Sequence, residues 1–289
     1  MDRPTRSLLA WFDQDEAVKT LLGHVPAAGQ DVSHQVAQWT EKQKALAARI
    51  PYTGDTPVIE PFPESLSKLA VTFTARPDVQ AMLAGFRWEL GVVNLAHVLS
   101  YQKIVVLEGI QERVAAVRED DWEALFSLCL PDAAAPTKRP LIIDPDGKGI
   151  TLTSLNPNLR VLGHIIQKTE LTAGPGTISA TIFGFTVKHY PSFVQVVEYN
   201  GRWFVRDGYH RCYGLLATGI TRVPCVFIRA NNFQQTGAEQ VGFFPEAVLL
   251  SERPPLLKDF LDDAVSVTVQ QRATRKVVRI TAQEFVVDV

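Results

Sequence analysis

Residues 197–226, VEYNGRWFVRDGYHRCYGLLATGITRVPCV, decide the fold of the C-terminal half of this chain. The pair Asn200-Gly201 stands between two apolar β-type runs, which is the strongest short-range signal for a two-residue hairpin turn. The turn predicts three cross-strand pairs: Tyr199 with Arg202, Val197 with Phe204, and Val196 with Val205. A β-hairpin is therefore expected over this part of the chain.

The second hairpin strand runs into Asp207-Gly208, after which apolar residues take helical spacing until Gly219. Pro224 then opens another strand. A strand that turns through glycine into a helix leaves the first N–H groups of the helix unpaired and directed at one point, where the helix dipole also favours negative charge. This geometry suits a phosphate group.

Side chains of the same turn also favour an anion. Gly208 permits a close backbone approach, Arg211 offers a bidentate fork and His210 a switchable donor. The carboxylate of Asp207 repels a phosphate unless it caps the helix, binds a metal or transfers a proton. Spacing alone leaves a structural alternative open. In that alternative Asp207 is only an N-cap, His210 is a hydrogen-bonded surface residue and Arg211 pairs with a neighbouring acid.

The order of a hairpin, a Gly-x-His/Arg-Arg turn, a helix ending at glycine and a Val-Pro strand resembles the core of the ParB/sulfiredoxin-like superfamily. The resemblance covers residues 197–226 and extends to residues 88–106, where the family often has an early strand and a turn containing glutamine. Its members include CTP-binding partition proteins, ATP-using sulfiredoxins and free serine kinases, which share a triphosphate bound at this turn. The resemblance implies ATP or CTP with Mg²⁺ as cofactor.

Within the superfamily the motif differs from one class to the next. Sulfiredoxins carry their catalytic cysteine where this chain has Tyr209, which argues against reduction of a sulfinic acid. Partition proteins carry Gly-Glu-Arg-Arg and a following helix-turn-helix domain, whereas this chain has His210 and a short remainder. The serine kinases read Asp-Gly-His-His-Arg, which differs from this chain only at Tyr209.

The resemblance therefore implies a small-molecule phosphotransferase. In this reading Asp207 and His210 are catalytic, and the nucleotide is bound by four residues of the turn: Gly208, Tyr209, His210 and Arg211. The family's kinases also use an acid from an earlier segment as base. Three residues are candidates for that base: Glu89, Glu108 and Glu112.

Three hypotheses on function follow. The leading one is a nucleoside triphosphate-binding protein that transfers phosphate to an unidentified small-molecule or protein acceptor. The second is a regulatory or binding module of the same fold without turnover. The third is a nucleic-acid-binding or nucleic-acid-processing protein, favoured by a basic cluster near the C-terminus: Arg272, Arg275, Lys276 and Arg279.

The predicted fold class is α+β, with a helical N-terminal region at residues 1–85 packed on a mixed-sheet domain of the ParB/sulfiredoxin-like type at residues 86–289. That domain has an inserted loop region near residues 131–180, and Pro131–Pro136 is the clearest linker. Apolar spacing predicts four helices in the N-terminal region, at Leu8–Val25, Asp31–Ile50, Glu64–Phe73 and Pro77–Leu83.

The composition of the chain limits the classes of protein to which it can belong. The chain has 289 residues, 46% of them hydrophobic, and its 29 basic and 31 acidic residues give a net charge of only -2. The overall charge thus gives no argument for a nucleic-acid or membrane partner. No apolar run approaches the ~20 residues that span a bilayer, and three cysteines stand in apolar surroundings. We expect a soluble cytoplasmic protein with reduced cysteines, no disulfide and no structural zinc.

Overall fold

A computed structural model of the chain describes residues 2–132, 142–145, 149–154, 159–173, 176–189, 192–240, 242–273, 276–281, 283 and 286. The chain forms two compact units. The first unit is Met1–Asp132 with Ser192–Ala273, and the second is Ala133–Pro191 with Thr274–Val289. The structure is a mixture of α-helices and β-sheets, as expected from the sequence.

The elements follow one another along the described residues. The strands are β1 (Asp2–Ser7), β2 (Ile59–Glu60), β3 (Trp88–Asn94), β4 (Leu99–Ser100), β5 (Ile104–Val106), β6 (Ile142–Pro145), β7 (Gly149–Ser154), β8 (Leu159–Ala173), β9 (Gly176–His189), β10 (Gln195–Tyr199), β11 (Arg202–Asp207), β12 (Arg222–Arg229), β13 (Val267–Arg272) and β14 (Lys276–Thr281). The helices are α1 (Gln14–Leu22), α2 (Ser33–Ala47), α3 (Ser67–Thr74), α4 (Pro77–Met82), α5 (Ile110–Val114), α6 (Trp122–Cys129), α7 (Tyr209–Ala217), α8 (Phe233–Thr236) and α9 (Glu246–Leu249), with 3₁₀ turns at Leu9–Trp11, Glu64–Leu66 and Leu257–Leu261.

The first unit is built on a six-stranded mixed sheet with the order β2-β3-β12-β10-β11-β4. The predicted hairpin is β10 and β11, and all three predicted cross-strand pairs are confirmed. Asn200 (φ 50°) and Gly201 (φ 71°) both have the positive φ that a type I′ turn requires. Helix α7 then connects β11 to β12, which lies parallel to β10.

The hairpin and β12 form the buried centre of this sheet. Six of their side chains are almost completely removed from solvent: Val196, Val197, Phe204, Val205, Val226 and Ile228. The ring of Tyr101 stacks on Phe204 with a centroid distance of 4.7 Å. Because side chains on both faces are buried, the central strands are continuous apolar runs with little alternation.

Helix α7 crosses α5 at Gly214. A Cβ atom at this position would lie 2.6 Å from Cγ2 of Ile110, so only glycine permits so close an approach of the two helices. The end of α7 is as predicted, since Gly219 follows with a φ of 89°. The crossing holds α5, and with it Arg113, beside α7.

The predicted division at residue 85 does not coincide with the compact units. Strand β1 pairs with β13 and with β5 in a three-stranded sheet, and β2 pairs with β3 in the six-stranded sheet. Residues 1–85 therefore belong to the same unit as α7. Strand β1 was not predicted, because its partner β13 lies more than 250 residues away and its polar residues show no apolar period.

The predicted N-terminal helices are present with different bounds. A 3₁₀ turn replaces the first part of Leu8–Val25, and α1 begins after Asp13, whose Oδ1 accepts a hydrogen bond of 2.7 Å from Glu16 N. Gly23, with a φ of 75°, ends α1 before Pro26. The other three predicted helices correspond to α2, to α3 preceded by a 3₁₀ turn, and to α4.

The second unit contains β-structure where an inserted loop region was predicted. Strands β14, β7 and β6 form a three-stranded antiparallel sheet, and β8 and β9 form a long antiparallel hairpin. The predicted linker Pro131–Pro136 lies outside the described residues after Asp132. The predicted basic cluster is divided, with Arg272 in β13, Arg279 in β14 and Arg275 outside the described residues.

Two further expectations concern composition. Over the part of the chain that the structure describes, no helix has the length and apolar character needed to cross a membrane. The side chains of Cys129, Cys212 and Cys225 are buried as free thiols. Burial is the main cause that raises the pKa of each of these thiols, which makes them poor nucleophiles.

Candidate functional site

The Asp207–Arg211 segment forms the corner between β11 and α7, and we call it the α7 corner. Asp207 is the last residue of β11, Gly208 is the N-cap with a φ of 88°, and Tyr209 is the first residue of α7. The strand, the glycine turn and the helix are therefore arranged as the sequence predicts. The hydrogen-bond partners and packing of the side chains at the α7 corner, however, differ from those that the sequence predicts.

Gly208 accommodates the protein's own backbone. A Cβ atom at this position would lie 3.1 Å from Cα of Val194 and 3.3 Å from the carbonyl oxygen of Phe193. The segment before β10 thus fills the space beside Gly208. The close approach that was predicted for a ligand is made here by the chain itself.

The carboxylate of Asp207 belongs to a local hydrogen-bond network. Its Oδ1 accepts hydrogen bonds from Ser192 Oγ at 2.9 Å and from Gly208 N at 2.6 Å. Within the described residues no side chain caps the N-terminus of α7. The capping role considered for Asp207 is therefore not adopted, and its carboxylate orients Ser192 instead.

Arg211 fastens three chain segments together. Its Nη1 donates to the carbonyl oxygens of Leu128 at 2.9 Å and Cys129 at 3.4 Å, at the end of α6. Its Nη2 donates to Ser192 O at 2.5 Å and to Ser192 Oγ at 2.6 Å. The bidentate fork predicted for a phosphate is thus occupied by main-chain carbonyls and Ser192 Oγ, and among the described residues no acid pairs with Arg211.

Tyr209 is a core residue. Tyr209 is only 5% exposed, and its hydroxyl donates a hydrogen bond to Val205 O. The hydroxyl oxygen of Tyr209 in turn accepts a hydrogen bond of 3.1 Å from Tyr101 N. Burial raises the pKa of this phenol well above its usual value. Tyr209 was predicted to contact the nucleotide, but the structure gives it a packing role.

His210 lies in the first turn of α7 and is partly buried. Burial lowers the pKa of its imidazole to about 4, and the positive charges of three arginines act in the same direction: Arg113, Arg3 and Arg211. At neutral pH His210 is therefore uncharged. Burial is the largest cause of this shift, and two of the three arginines, Arg113 and Arg3, come from other parts of the chain.

Arg3 and Arg113 were missed by the sequence reasoning. Arg3 comes from β1, and Arg113 comes from α5. Neither residue stands near the motif in sequence, and the pairing of β1 with β5 and the α5–α7 crossing bring them to it. Only the unusual glycine at position 214, inside a helical pattern, hinted at a close contact with another segment.

Cationic side chains and the N–H groups of a first helical turn meet at the α7 corner. The N–H groups of Tyr209 and His210 have no intrahelical acceptor, because they occupy the first turn of α7. The helix dipole places partial positive charge at the same point, next to the guanidinium groups of Arg3 and Arg113. This arrangement can bind an anion through backbone donors, an uncharged imidazole and surrounding positive charge.

The three upstream acids are less well placed for catalysis. Glu89 forms an ion pair of 3.1 Å with Arg229 on the sheet, and Glu108 and Glu112 are exposed. In the described ranges no group of three or more His, Cys, Asp or Glu side chains could hold a metal ion.

Comparison of the chain with protein-family models, with curated proteins and with solved structures gave no match, so the case for function depends on the geometry of the α7 corner.

Proposed function

We propose that the protein binds the phosphate groups of a nucleoside triphosphate, ATP or CTP with Mg²⁺, at the α7 corner. The observation that carries this proposal is the electrostatic environment of His210. Three guanidinium groups influence one partly buried imidazole at the uncapped start of a helix. A phosphate group offsets that concentration of positive charge, because an opposite charge within about 4–6 Å favours the charged form of each partner.

The first contribution comes from the backbone. The N–H groups of Tyr209 and His210 are directed away from the body of α7 and need an acceptor. An anion at a helix N-terminus gains typically ~0.3–1 kcal/mol from the dipole, and more where the site is partly buried. The absence of a side-chain cap within the described residues leaves this position to a ligand.

The second contribution comes from Arg3 and Arg113. They come from separate elements, so an anion at His210 is approached by positive charge from β1 and from α5 as well as from α7. Arg211 adds charge to this field while its hydrogen bonds keep Ser192 and the end of α6 in place. We therefore regard Arg211 and Ser192 as positioning residues.

Magnesium would enter with the triphosphate. Mg²⁺ usually keeps several waters and takes one or two carboxylates in addition to phosphate oxygens. Asp207 is the carboxylate of the α7 corner that could serve as such a ligand. This role needs no preformed metal cage.

A binding or regulatory module without turnover is a second candidate, and the hydrogen bonds of Asp207 favour it. Phosphotransfer to an acceptor requires Asp207 to give up Ser192 Oγ and turn toward the transferred phosphate. The binding module needs no such change. Conversion of ATP to ADP in the presence of Mg²⁺ and candidate acceptors separates the two, and Asp207→Asn should abolish turnover while nucleotide still binds.

Thermal shift tests nucleotide binding directly. We expect ATP or CTP with Mg²⁺ to raise the melting temperature of the parent protein, because a ligand that binds only the folded state stabilises that state. ADP should raise the melting temperature less. Arg113→Gln should reduce the shift strongly. Arg118→Gln is the matched control, because Arg118 follows on the same stretch of chain and is 82% exposed. Failure of every nucleotide to raise the parent melting temperature contradicts the proposal.

Binding should also take up a proton. A phosphate beside His210 counteracts the repulsion from Arg113 and Arg3 and thereby raises the lowered pKa of the imidazole. Affinity should therefore increase as the pH falls from neutral, until the phosphate itself is protonated. Calorimetry in two buffers of different ionisation enthalpy measures the proton uptake, and His210→Gln should remove it.

A further inference from the structure

A cleft of about 220 Å³ lies in the first unit, apart from the α7 corner. We call it the Trp11 cleft, and its principal lining residues are Trp11, Ile50, Tyr52, His97, Arg253 and Leu256. A small molecule with one ring fits in a cleft of this size.

The walls of the Trp11 cleft are tied to one another. Tyr52 N donates to Glu252 O at 2.7 Å, and Arg253 Nε donates to Arg49 O at 2.8 Å. Trp11 Nε1 donates to Arg253 O at 2.7 Å, which joins Trp11 to the segment that contains Arg253. A ligand therefore meets a preformed cleft, and little ordering of the protein opposes binding.

The charges of the lining residues are of one sign. Arg49 and Arg253 are the charged residues of the lining, and no lining residue is acidic. Arg49 is neutralised by Asp259 at 2.8 Å and Asp262 at 2.5 Å. These pairs remove Arg49 as a partner for a ligand.

Arg253 has donors to spare. Its Nη1 lies 3.3 Å from Glu252, whose side chain is 79% exposed, and such surface pairs contribute little. Among the described residues no acceptor is recorded for Arg253 Nη2 or for either ring nitrogen of His97. Burial and the charge of Lys258 lower the pKa of His97, so that this imidazole is uncharged at neutral pH.

The rest of the lining is apolar. The indole of Trp11 is 9% exposed and is flanked by Leu256 and Leu46, while Ile50 stands at the mouth with 88% of its side chain exposed. An exposed isoleucine beside a buried indole gives an apolar body a surface on which to pack. The cleft thus combines cationic and neutral donors with an apolar wall.

We propose that the Trp11 cleft binds a small monocarboxylate with an aromatic or branched apolar body. The carboxylate takes the guanidinium fork of Arg253 and a hydrogen bond from His97, and the apolar body packs on Trp11 and Leu256. The bidentate geometry of arginine matches a carboxylate, and the carboxylate of the ligand takes the place of the exposed Glu252 carboxylate at Arg253 Nη1. The site is independent of the α7 corner.

The test uses benzoate as probe and benzamide as its uncharged analogue of the same shape. Ligand-observed NMR titrations on the full chain should show benzoate binding to the parent at concentrations up to about 10 mM, with benzamide weaker. Arg253→Gln should weaken benzoate binding by about tenfold or more, since charge-assisted hydrogen bonds are roughly twice as strong as neutral ones. Arg118→Gln is the control and should bind as the parent does.

A second variant keeps the test decisive if Arg253→Gln does not fold. Ile50→Asp alters an exposed side chain and places a carboxylate at the mouth, so it should weaken the binding of benzoate more than that of benzamide. No benzoate binding to the parent, equal binding of benzamide, or unchanged binding by both variants overturns the proposal.

Discussion

The two turns that flank β11 contain the same kind of residue in very different surroundings. At the β10–β11 turn Gly201 has a φ of 71° and nothing within 4 Å of its would-be Cβ atom, whereas Gly208 has a φ of 88° and Val194 at 3.1 Å. The first turn is exposed, and its own two residues decide its shape. The second is enclosed by segments from the rest of the unit, and those segments decide what its side chains do.

The difference shows how far a local motif can be interpreted. Asn200-Gly201 specifies a turn and with it the register of the hairpin from Tyr199 back to Val196, because turn type and register are coupled over a few residues. Asp207–Arg211 specifies a strand, a turn and a helix in the same way. The partners of Asp207 and Arg211, however, are Ser192, Leu128 and Cys129, which the motif does not contain.

Arg211→Ala should have the largest effect on stability and tests the enclosed turn. The substitution leaves the carbonyls of Leu128, Cys129 and Ser192 without their charged donor, and loss of such a part-buried network costs about 3–5 kcal/mol. Urea unfolding measures the change in the free energy of unfolding. Arg118→Ala, at an 82% exposed arginine, should change it by less than about 0.5 kcal/mol. An effect of Arg211→Ala as small as that of Arg118→Ala would show that the network does not hold the corner together.

The pH dependence of stability tests the lowered pKa of His210, which burial and three arginines cause together. The folded protein holds the pKa of His210 at about 4, while the unfolded chain charges it near 6.5. Between those values the unfolded state binds more protons, so the free energy of unfolding increases with pH from about 4 to 6.5 and this contribution is complete above 6.5. It amounts to at most about 3 kcal/mol, and partial exposure reduces it.

Other groups titrate in the same pH range, but they are present in both the parent and the His210→Gln variant. The difference between the two proteins therefore isolates the contribution of His210. Unfolding curves between about pH 4 and 6.5 should be steeper in their pH dependence for the parent than for the variant. Equal slopes would mean that neither burial nor the neighbouring arginines lower the pKa of the imidazole. The α7 corner would then differ from the β10–β11 turn in its hydrogen bonds and not in the charge state of a side chain.

Gly208→Ala and Gly201→Ala compare the two turns directly. Both substitutions place a Cβ atom at positive φ, which costs on the order of 1 kcal/mol. Gly208→Ala additionally presses on Val194 Cα at 3.1 Å, so it should lower the free energy of unfolding by about 1 kcal/mol more than Gly201→Ala. Equal losses in urea unfolding would indicate that the enclosed turn has room to relax.

Much of the fold near the candidate site was predictable for a physical reason. Turn residues, apolar periods and helix stops act over a few residues, so the hairpin, the corner and the end of α7 at Gly219 follow from local rules. The bounds of α1 deviated because Asp13 supplies a better N-cap than Leu8, the residue at which the predicted helix began. The strands of the second unit, with their long hairpin, lie where an inserted loop region was predicted.

By itself, the sequence determined the mixed helix and strand composition, the register of β10 with β11 and the position of Gly208 at the start of α7. Only the tertiary structure decided that Tyr209 is a core residue, that Arg211 binds main-chain carbonyls, and that Arg3 and Arg113 stand around His210. The physical reason is range. Backbone geometry depends on neighbours in the chain, whereas burial, charge and hydrogen-bond partners depend on which distant segments pack together.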